Sequence, residues 1–102
     1  MELGITDLKL SNPTPSEGEE IKVYAKIKNF GGKVEGVWAI FYYTTELPFK
    51  KEVVEKFIKP EFEIYRELIS RLDEGESTVI TFDWKAKKDM KTIFVFTKEE
   101  TP

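Results

Sequence analysis

The sequence predicts a mainly β domain that carries one short helix. Its 102 residues are the size of a single domain with one hydrophobic core. Along Glu20–Asn29, apolar side chains occupy every second position, which is typical of a strand with one buried and one solvated face. Residues 44–62 break this rhythm, because their apolar side chains recur at helical spacing.

Other segments share the strand pattern, and they are 7–11, 37–43, 80–84 and 92–97. Residues 63–72 fit two patterns: local spacing slightly favours a helix, but the same apolar residues would serve a strand with two apolar faces. Residues 98–102 are predicted to be a frayed tail. The whole chain, 1–102, is expected to form one domain.

The segment 37–43 is apolar on both faces. Val37, Ala39 and Phe41 can point into a core, while the opposite face carries a second apolar row. Such a strand is covered on both sides or exposes a contact patch. If 92–97 lies alongside, two phenylalanines join the row. The predicted partner surface, here called the outer face, is Trp38, Ile40, Tyr42, Phe94 and Phe96.

A helix is predicted near residues 48–59. Its apolar stripe runs from Phe49 to Ile58, Pro48 suits a first helical turn, and Pro60 ends the segment. A helix of about ten residues is marginal by itself in water, so it must lie on an apolar surface. We expect it to cover Trp38, Ile40 and Tyr42.

The composition excludes much chemistry. The chain has neither His nor Cys, which removes the usual acid–base residue, thiolate nucleophiles and zinc sites, and its net charge of −3 argues against general nucleic-acid binding. No catalytic residues, cofactor or metal ligands are predicted, and the chain is not expected to be an enzyme. One alternative stays open: the acidic loops 17–20 and 73–76 could jointly hold calcium.

Glu and Lys dominate the charged residues, and Gln is absent. This balance is reported for hyperthermophiles, so a thermophilic source is expected. Nothing at the N-terminus resembles a signal peptide, and no apolar window could cross a bilayer, so direct membrane insertion is not expected.

Several short motifs follow one another in a fixed order. They are Asp7-Leu8, Pro13-Thr14-Pro15, Gly18-Glu19, Ile21-Lys22-Val23, Ile27-Lys28-Asn29-Phe30-Gly31, Ala39-Ile40-Phe41-Tyr42, and Leu72 with Gly75-Glu76-Ser77 ahead of Ile80-Thr81-Phe82-Asp83-Trp84. The series resembles the cell-adhesion-related domain found in bacteria and archaea (CARDB), over roughly residues 7–43 and 68–97. In two respects the chain departs from the family pattern: 44–62 is longer than the usual connection, and the final strand of the family is not found before Pro102.

The resemblance implies an immunoglobulin-like antiparallel β-sandwich of about six or seven strands, with 44–62 as a helical insertion and 63–72 as a strand. It further implies a non-catalytic structural or adhesion module of a larger cell-surface or secreted protein, located outside the cell or in its envelope. Its partners would be neighbouring domains, other surface proteins or carbohydrate. The alternative is a soluble domain that binds a peptide by edge-strand pairing, or a carbohydrate through Trp38, Ile40 and Tyr42.

Overall fold

The computed structural model describes residues 1–47 and 51–100 and shows a mainly β chain, as predicted. It has one short helix, α1 (Lys51–Lys56), followed by a 3-10 turn at Pro60–Phe62. The six strands described are β1 (Leu3–Leu10), β2 (Glu20–Asn29), β3 (Val34–Thr44), β4 (Glu63–Leu72), β5 (Ser77–Lys85) and β6 (Thr92–Glu99).

The strands form two antiparallel sheets of three strands each. Sheet A has the order β1-β2-β5 and sheet B the order β4-β3-β6. The apolar row of β2 predicted from the sequence is buried, and it shares one cluster with Ala39 and Phe41 of β3. The two inner faces therefore enclose a single core, and the architecture is that of a β-sandwich.

The two sheets are offset from one another. Phe82 of β5 packs edge-on against Phe41 of β3, with ring centroids 4.8 Å apart, and stacks on Tyr65 of β4 at 4.3 Å. Strand β5 therefore lies over the β3–β4 pair. Because β1 is two strands further along sheet A, it extends beyond the edge of β6.

The offset leaves inward-pointing side chains of β1 uncovered. Ile5 and Leu8 pair with Ile27 and Ala25, two core residues of β2, so they point to the same side of sheet A as the core. Yet Ile5 is 39% and Leu8 36% exposed. No described strand of sheet B lies opposite them.

Residues 63–72, which the local pattern left open, form a strand. Strand β4 pairs antiparallel with β3, and this register puts Leu68 opposite Trp38. Strand β6 runs to Glu99, so the first two residues of the predicted tail belong to sheet B. Thr101 and Pro102 lie outside the described residues.

The predicted helix near 48–59 is present over Lys51–Lys56. Residues 48–50 lie outside the described residues. The backbone N–H of Phe57 still donates to Val54 O at 3.0 Å, and Pro60 then starts the 3-10 turn that leads into β4.

Asn29, at the end of β2, joins the two sheets through a fully buried amide side chain. Its Nδ2 donates to Gly32 O at 2.9 Å and to Leu72 O at 3.0 Å, and its Oδ1 accepts from the N–H of Gly31 at 3.0 Å. Leu72 is the last residue of β4, so one side chain holds the β2–β3 turn and the end of sheet B together.

The backbone of Asn29 extends this junction to the β4–β5 turn. Its N–H donates to Glu76 O at 2.9 Å, and its carbonyl accepts from the N–H of Gly75 at 2.8 Å. Gly75 has φ of +80°, a conformation that a side chain would strain. The turn can therefore close on Asn29 without strain because a glycine occupies this position.

Asn29→Ala is expected to lower the free energy of unfolding by about 2–4 kcal/mol, because it leaves the buried carbonyl of Leu72 and part-buried backbone groups of Gly32 and Gly31 without their partner. Urea denaturation would measure the loss. The matched control is Asn12→Ala, which removes a half-exposed amide bonded to Glu19 and should cost less than about 1 kcal/mol. Equal losses in both variants would contradict the role given to Asn29.

Candidate functional site

The structure brings the five residues of the predicted outer face together. On β3, Trp38, Ile40 and Tyr42 point away from the core. Strand β6 lies alongside, with Phe96 opposite Ile40 and Phe94 opposite Tyr42. The Tyr42 and Phe94 rings are stacked, with centroids 5.4 Å apart and planes at 22°.

Exposure is uneven across this face. Ile40 and Tyr42, on the central strand, are buried, and Trp38 is half-buried. On the two edge strands, Phe96 is 37% and Leu68 39% exposed. The accessible apolar surface therefore lies along both sides of β3, around the half of the strand that carries Trp38.

Strand β4 adds three residues that sequence reasoning missed: Leu68, Arg66 and Glu63. The guanidinium of Arg66 lies 5.6 Å from the Trp38 ring centroid, a cation–π distance, and it binds the carboxylate of Glu63 through two hydrogen bonds. These bonds to Arg66 lower the pKa of the Glu63 carboxyl below its ordinary value. Arg66 is thereby held over one side of Trp38.

A β-bulge explains why the sequence pattern did not reveal this pair. In a regular strand, residues three apart point to opposite faces. Here the register shifts between Phe41 and Tyr42, so that Tyr65 lies opposite Phe41 while Glu63 lies opposite Tyr42. Glu63 and Arg66 consequently share the outer face.

Phe57 anchors the helical segment on the core side of the sandwich. It is buried, and its ring packs edge-on against Phe62 at 4.7 Å. Phe62 contacts Tyr43 at 5.3 Å, and Tyr43 lies 5.5 Å from Trp84. Tyr43 belongs to the inner face of β3, so these contacts lead from α1 to the end of the core.

The two acidic loops considered for calcium are far apart. The loop 17–20 ends at Glu20, the first residue of β2, whereas the loop 73–76 contacts Asn29, the last residue of that strand. The joint site imagined from the sequence is therefore not assembled, because ten residues of extended strand separate the loops. No group of three or more acidic side chains able to hold a metal ion occurs among the described residues.

Carboxylates of these loops bond to residues close by in the chain. Glu19 accepts from Asn12 Nδ2 at 2.9 Å and from the N–H of Ser16 at 3.2 Å, and both bonds lower the pKa of its carboxyl. Asp73 pairs with Arg71 at 3.0 Å, which lowers the pKa of the Asp73 carboxyl. Both loops are thus turns closed by their own side chains.

A polar cavity of about 450 Å³ opens where β1 begins and β6 ends. Its charged lining includes Glu2, Lys33, Glu35 and Glu99, and Lys33 is already paired with Glu35 at 3.1 Å. It lies at the end of the sandwich and contains none of the five outer-face residues. Among the described residues, no helix has the length and apolar character needed to span a membrane.

No family model and no curated protein matches the chain. Among solved structures, the solution structure of GmR58A from Geobacter metallireducens, a structural genomics target, is similar. The two chains share 25% sequence identity and a TM-score of 0.58, over 91% of this chain and 75% of that one. This likeness supports the β architecture; the name of that target states no activity.

Phe57→Ala is expected to destabilise the chain by about 3 kcal/mol, as for loss of a buried aromatic side chain. In a Trp38→Phe background, Trp84 is the only tryptophan, and its fluorescence should shift to longer wavelength when Phe57 is replaced. The reason is that Phe57 connects to Trp84 through the rings of Phe62 and Tyr43. In a Trp84→Phe background, the Trp38 signal should change little.

The exposed Leu47 supplies the control: Leu47→Ala should change stability by less than about 0.5 kcal/mol. A larger shift of Trp38 than of Trp84 would instead show that Phe57 supports the outer face.

Stability is expected to fall at alkaline pH through Tyr42. Burial, together with the nearby carboxylate of Glu63, raises the pKa of the Tyr42 hydroxyl above its ordinary value of 10.0, while Arg66 acts in the opposite direction. The folded state thus holds this proton more tightly than the unfolded state. The contribution of the protonated Tyr42 hydroxyl to the free energy of unfolding is fully present below about pH 10 and is lost as pH rises through the folded-state pKa.

Tyr42→Phe removes the titrating group, so the variant should lose less stability than the parent between about pH 8 and about pH 11. Urea denaturation across that range measures the difference. Identical losses in both proteins would show that Tyr42 ionisation does not contribute.

Proposed function

We propose that the chain is a non-catalytic, immunoglobulin-like module of the CARDB type, which acts by presenting a stable contact surface. Strand order supports the finer fold assignment. Under this proposal, β1, β2 and β5 would correspond to immunoglobulin strands A, B and E, and β3 and β6 to C and F, an assignment with which the observed strand orders agree. Strand β4, paired with β3, corresponds to C′, and no described strand takes the place of G.

The observation that carries the proposed role is the outer face of sheet B. A sheet that packs its core on one side has no structural need for aromatic residues on the other, yet here β3 bears them on both faces and β6 adds Phe94 and Phe96 to the outer one. Leu68 is exposed opposite Trp38 on β4, and Phe96 is exposed opposite Ile40 on β6. Exposed apolar patches of this kind mark contact sites for other macromolecules.

The partner that this face fits is another folded protein domain. The face is the broad surface of a β-sheet, which suits a protein surface better than a small ligand, since small ligands bind in concave sites. Trp38 with the Arg66 guanidinium stacked on it is the central anchor, because Trp and Arg are enriched among residues that dominate binding energy. Lys98, opposite Trp38 on β6, adds a positive charge at the rim.

The expected setting is the cell envelope or the exterior, as a part of a larger surface protein. This setting follows from the CARDB resemblance. Two of the short motifs that carry the resemblance lie in a turn and in a central strand of the sandwich. Gly75-Glu76 forms the turn that closes on Asn29, and Ile21-Lys22-Val23 begins the central strand of sheet A.

Site-specific photo-crosslinking in cells that produce the protein tests the proposal. A benzophenone side chain at position 96 or 68 should capture one and the same protein, and that protein should fractionate with the envelope. The matched control is position 79, where Val79 is 48% exposed on the outside of sheet A, against 37% for Phe96 and 39% for Leu68.

The purified partner should then bind the chain, and Phe96→Asp should weaken that binding about tenfold or more, as expected for an apolar anchor. Capture of the same protein from position 79, no capture from either outer-face position, or a partner confined to the cytoplasm would refute the proposal.

A further inference from the structure

Strand β6 is an edge of sheet B among the described strands. Sheet B has the order β4-β3-β6, and no other described strand pairs with β6. In an antiparallel ladder, the N–H and C=O groups of alternate residues point to alternate sides. About half of the backbone groups of Thr92–Glu99 therefore point away from β3, on a side where no described strand pairs with β6.

The overhang of β1 turns this edge into a slot. A strand added beside β6 would extend sheet B by about 4.8 Å and come to lie beneath β1. Ile5 and Leu8 point toward this position and are exposed there. The slot thus combines backbone hydrogen-bonding groups along one wall with two apolar side chains above, and it is defined by the free edge of β6, Ile5 and Leu8.

Features that protect sheet edges are weaker here than at the other edge of sheet B. The β4 edge carries Glu63, Arg66 and Arg71, charges that discourage pairing. The middle of β6, residues 93–97, has no charge, proline, glycine or register shift. The edge of β5 differs again, because β5 lies against β4 through the stacked rings of Phe82 and Tyr65.

We propose that the slot binds an extended peptide segment that carries apolar side chains at alternate positions. The backbone of the segment would pair with β6, and its inward side chains would cover Ile5 and Leu8. This inference goes beyond the outer-face proposal and does not depend on it, since Ile5 and Leu8 belong to sheet A and face the core side.

The geometry favours a single peptide strand over a second copy of this chain. Two copies that paired β6 with β6 antiparallel would be related by a two-fold axis perpendicular to sheet B, which places both A sheets on the same side. Each overhanging β1 would then enter the space of the other. A lone strand meets no such obstacle.

The probe is a labelled peptide, acetyl-Lys-Val-Thr-Val-Thr-Val-Lys-amide, titrated with the folded chain by fluorescence anisotropy. Its three valines can face Ile5 and Leu8 together, because alternate residues of a strand share one side. A second peptide of identical composition, acetyl-Lys-Val-Val-Val-Thr-Thr-Lys-amide, breaks the alternation and should bind more weakly.

N-methylation separates edge pairing from general apolar adhesion. Because only every second N–H of an added strand points at β6, methylating the central valine and methylating the threonine before it should have opposite outcomes. One variant should lose about fivefold or more in affinity, and the other less than about twofold.

Leu8→Lys places a charge in the slot and should weaken the peptide about tenfold. Val79→Lys, a matched change at an exposed apolar residue outside the slot, should leave binding within about twofold. The melting temperature of each variant, measured without peptide, shows that both remain folded; if Leu8→Lys is unstable, Ile5→Thr replaces it.

Saturable binding that depends on the alternation, on one of the two N–H groups and on Leu8 supports the proposal. No saturable binding, equal effects of the two N-methyl groups, or equal effects of Leu8→Lys and Val79→Lys overturns it. Concentration-dependent dimers that the peptide does not dissociate also overturn it, because a second copy would then occupy the edge. None of these results bears on crosslinking from position 96, so the two proposals fail separately.

Discussion

Phe82 packs between Phe41 and Tyr65, and this contact sets how the two sheets lie on each other. Because the contact holds β5 over the β3–β4 pair, the opposite end of sheet A extends past the opposite end of sheet B. The same offset closes the sandwich on the β4 side and leaves it open on the β6 side. The contacts of Phe82 with Phe41 and Tyr65 thus account for both sides of the sandwich. The exposure of Ile5 and Leu8 on β1 follows from the same offset.

Sheet B has apolar side chains on both faces, and those of the outer face differ in exposure. On the central strand, Ile40 and Tyr42 are buried, with neighbouring strands on both sides. On the edge strands, Leu68 and Phe96 have a neighbour on one side only among the described strands and stay partly exposed. Within the outer face, the accessible apolar residues are therefore Leu68 and Phe96 on the edge strands. They lie near Trp38, whose ring contacts Arg66.

Much of the strand layout could be read from the sequence, because alternation is a local property with a period of two. Strand β2 and the doubly apolar β3 are examples, and the outer-face residues of β3 and β6 followed from the same alternation. The nature of 63–72 could not be read in this way, since its pairing partner β3 is distant in the chain. Nor could the Glu63–Arg66 pair, because the bulge opposite Phe41 and Tyr42 changes which residues share a face.

The sequence by itself determined the strand-forming segments other than 63–72, the glycine at position 75 where the turn closes on Asn29, and the lack of histidine and cysteine chemistry. These follow from residue types and from spacing along a few neighbouring positions. Only the tertiary structure decided the offset of the sheets, the free edge of β6 and the exposure of Ile5 and Leu8. The physical reason is that sheet-on-sheet packing sums contacts between residues far apart in the chain, such as Phe41 and Phe82, whose relative placement no local pattern encodes.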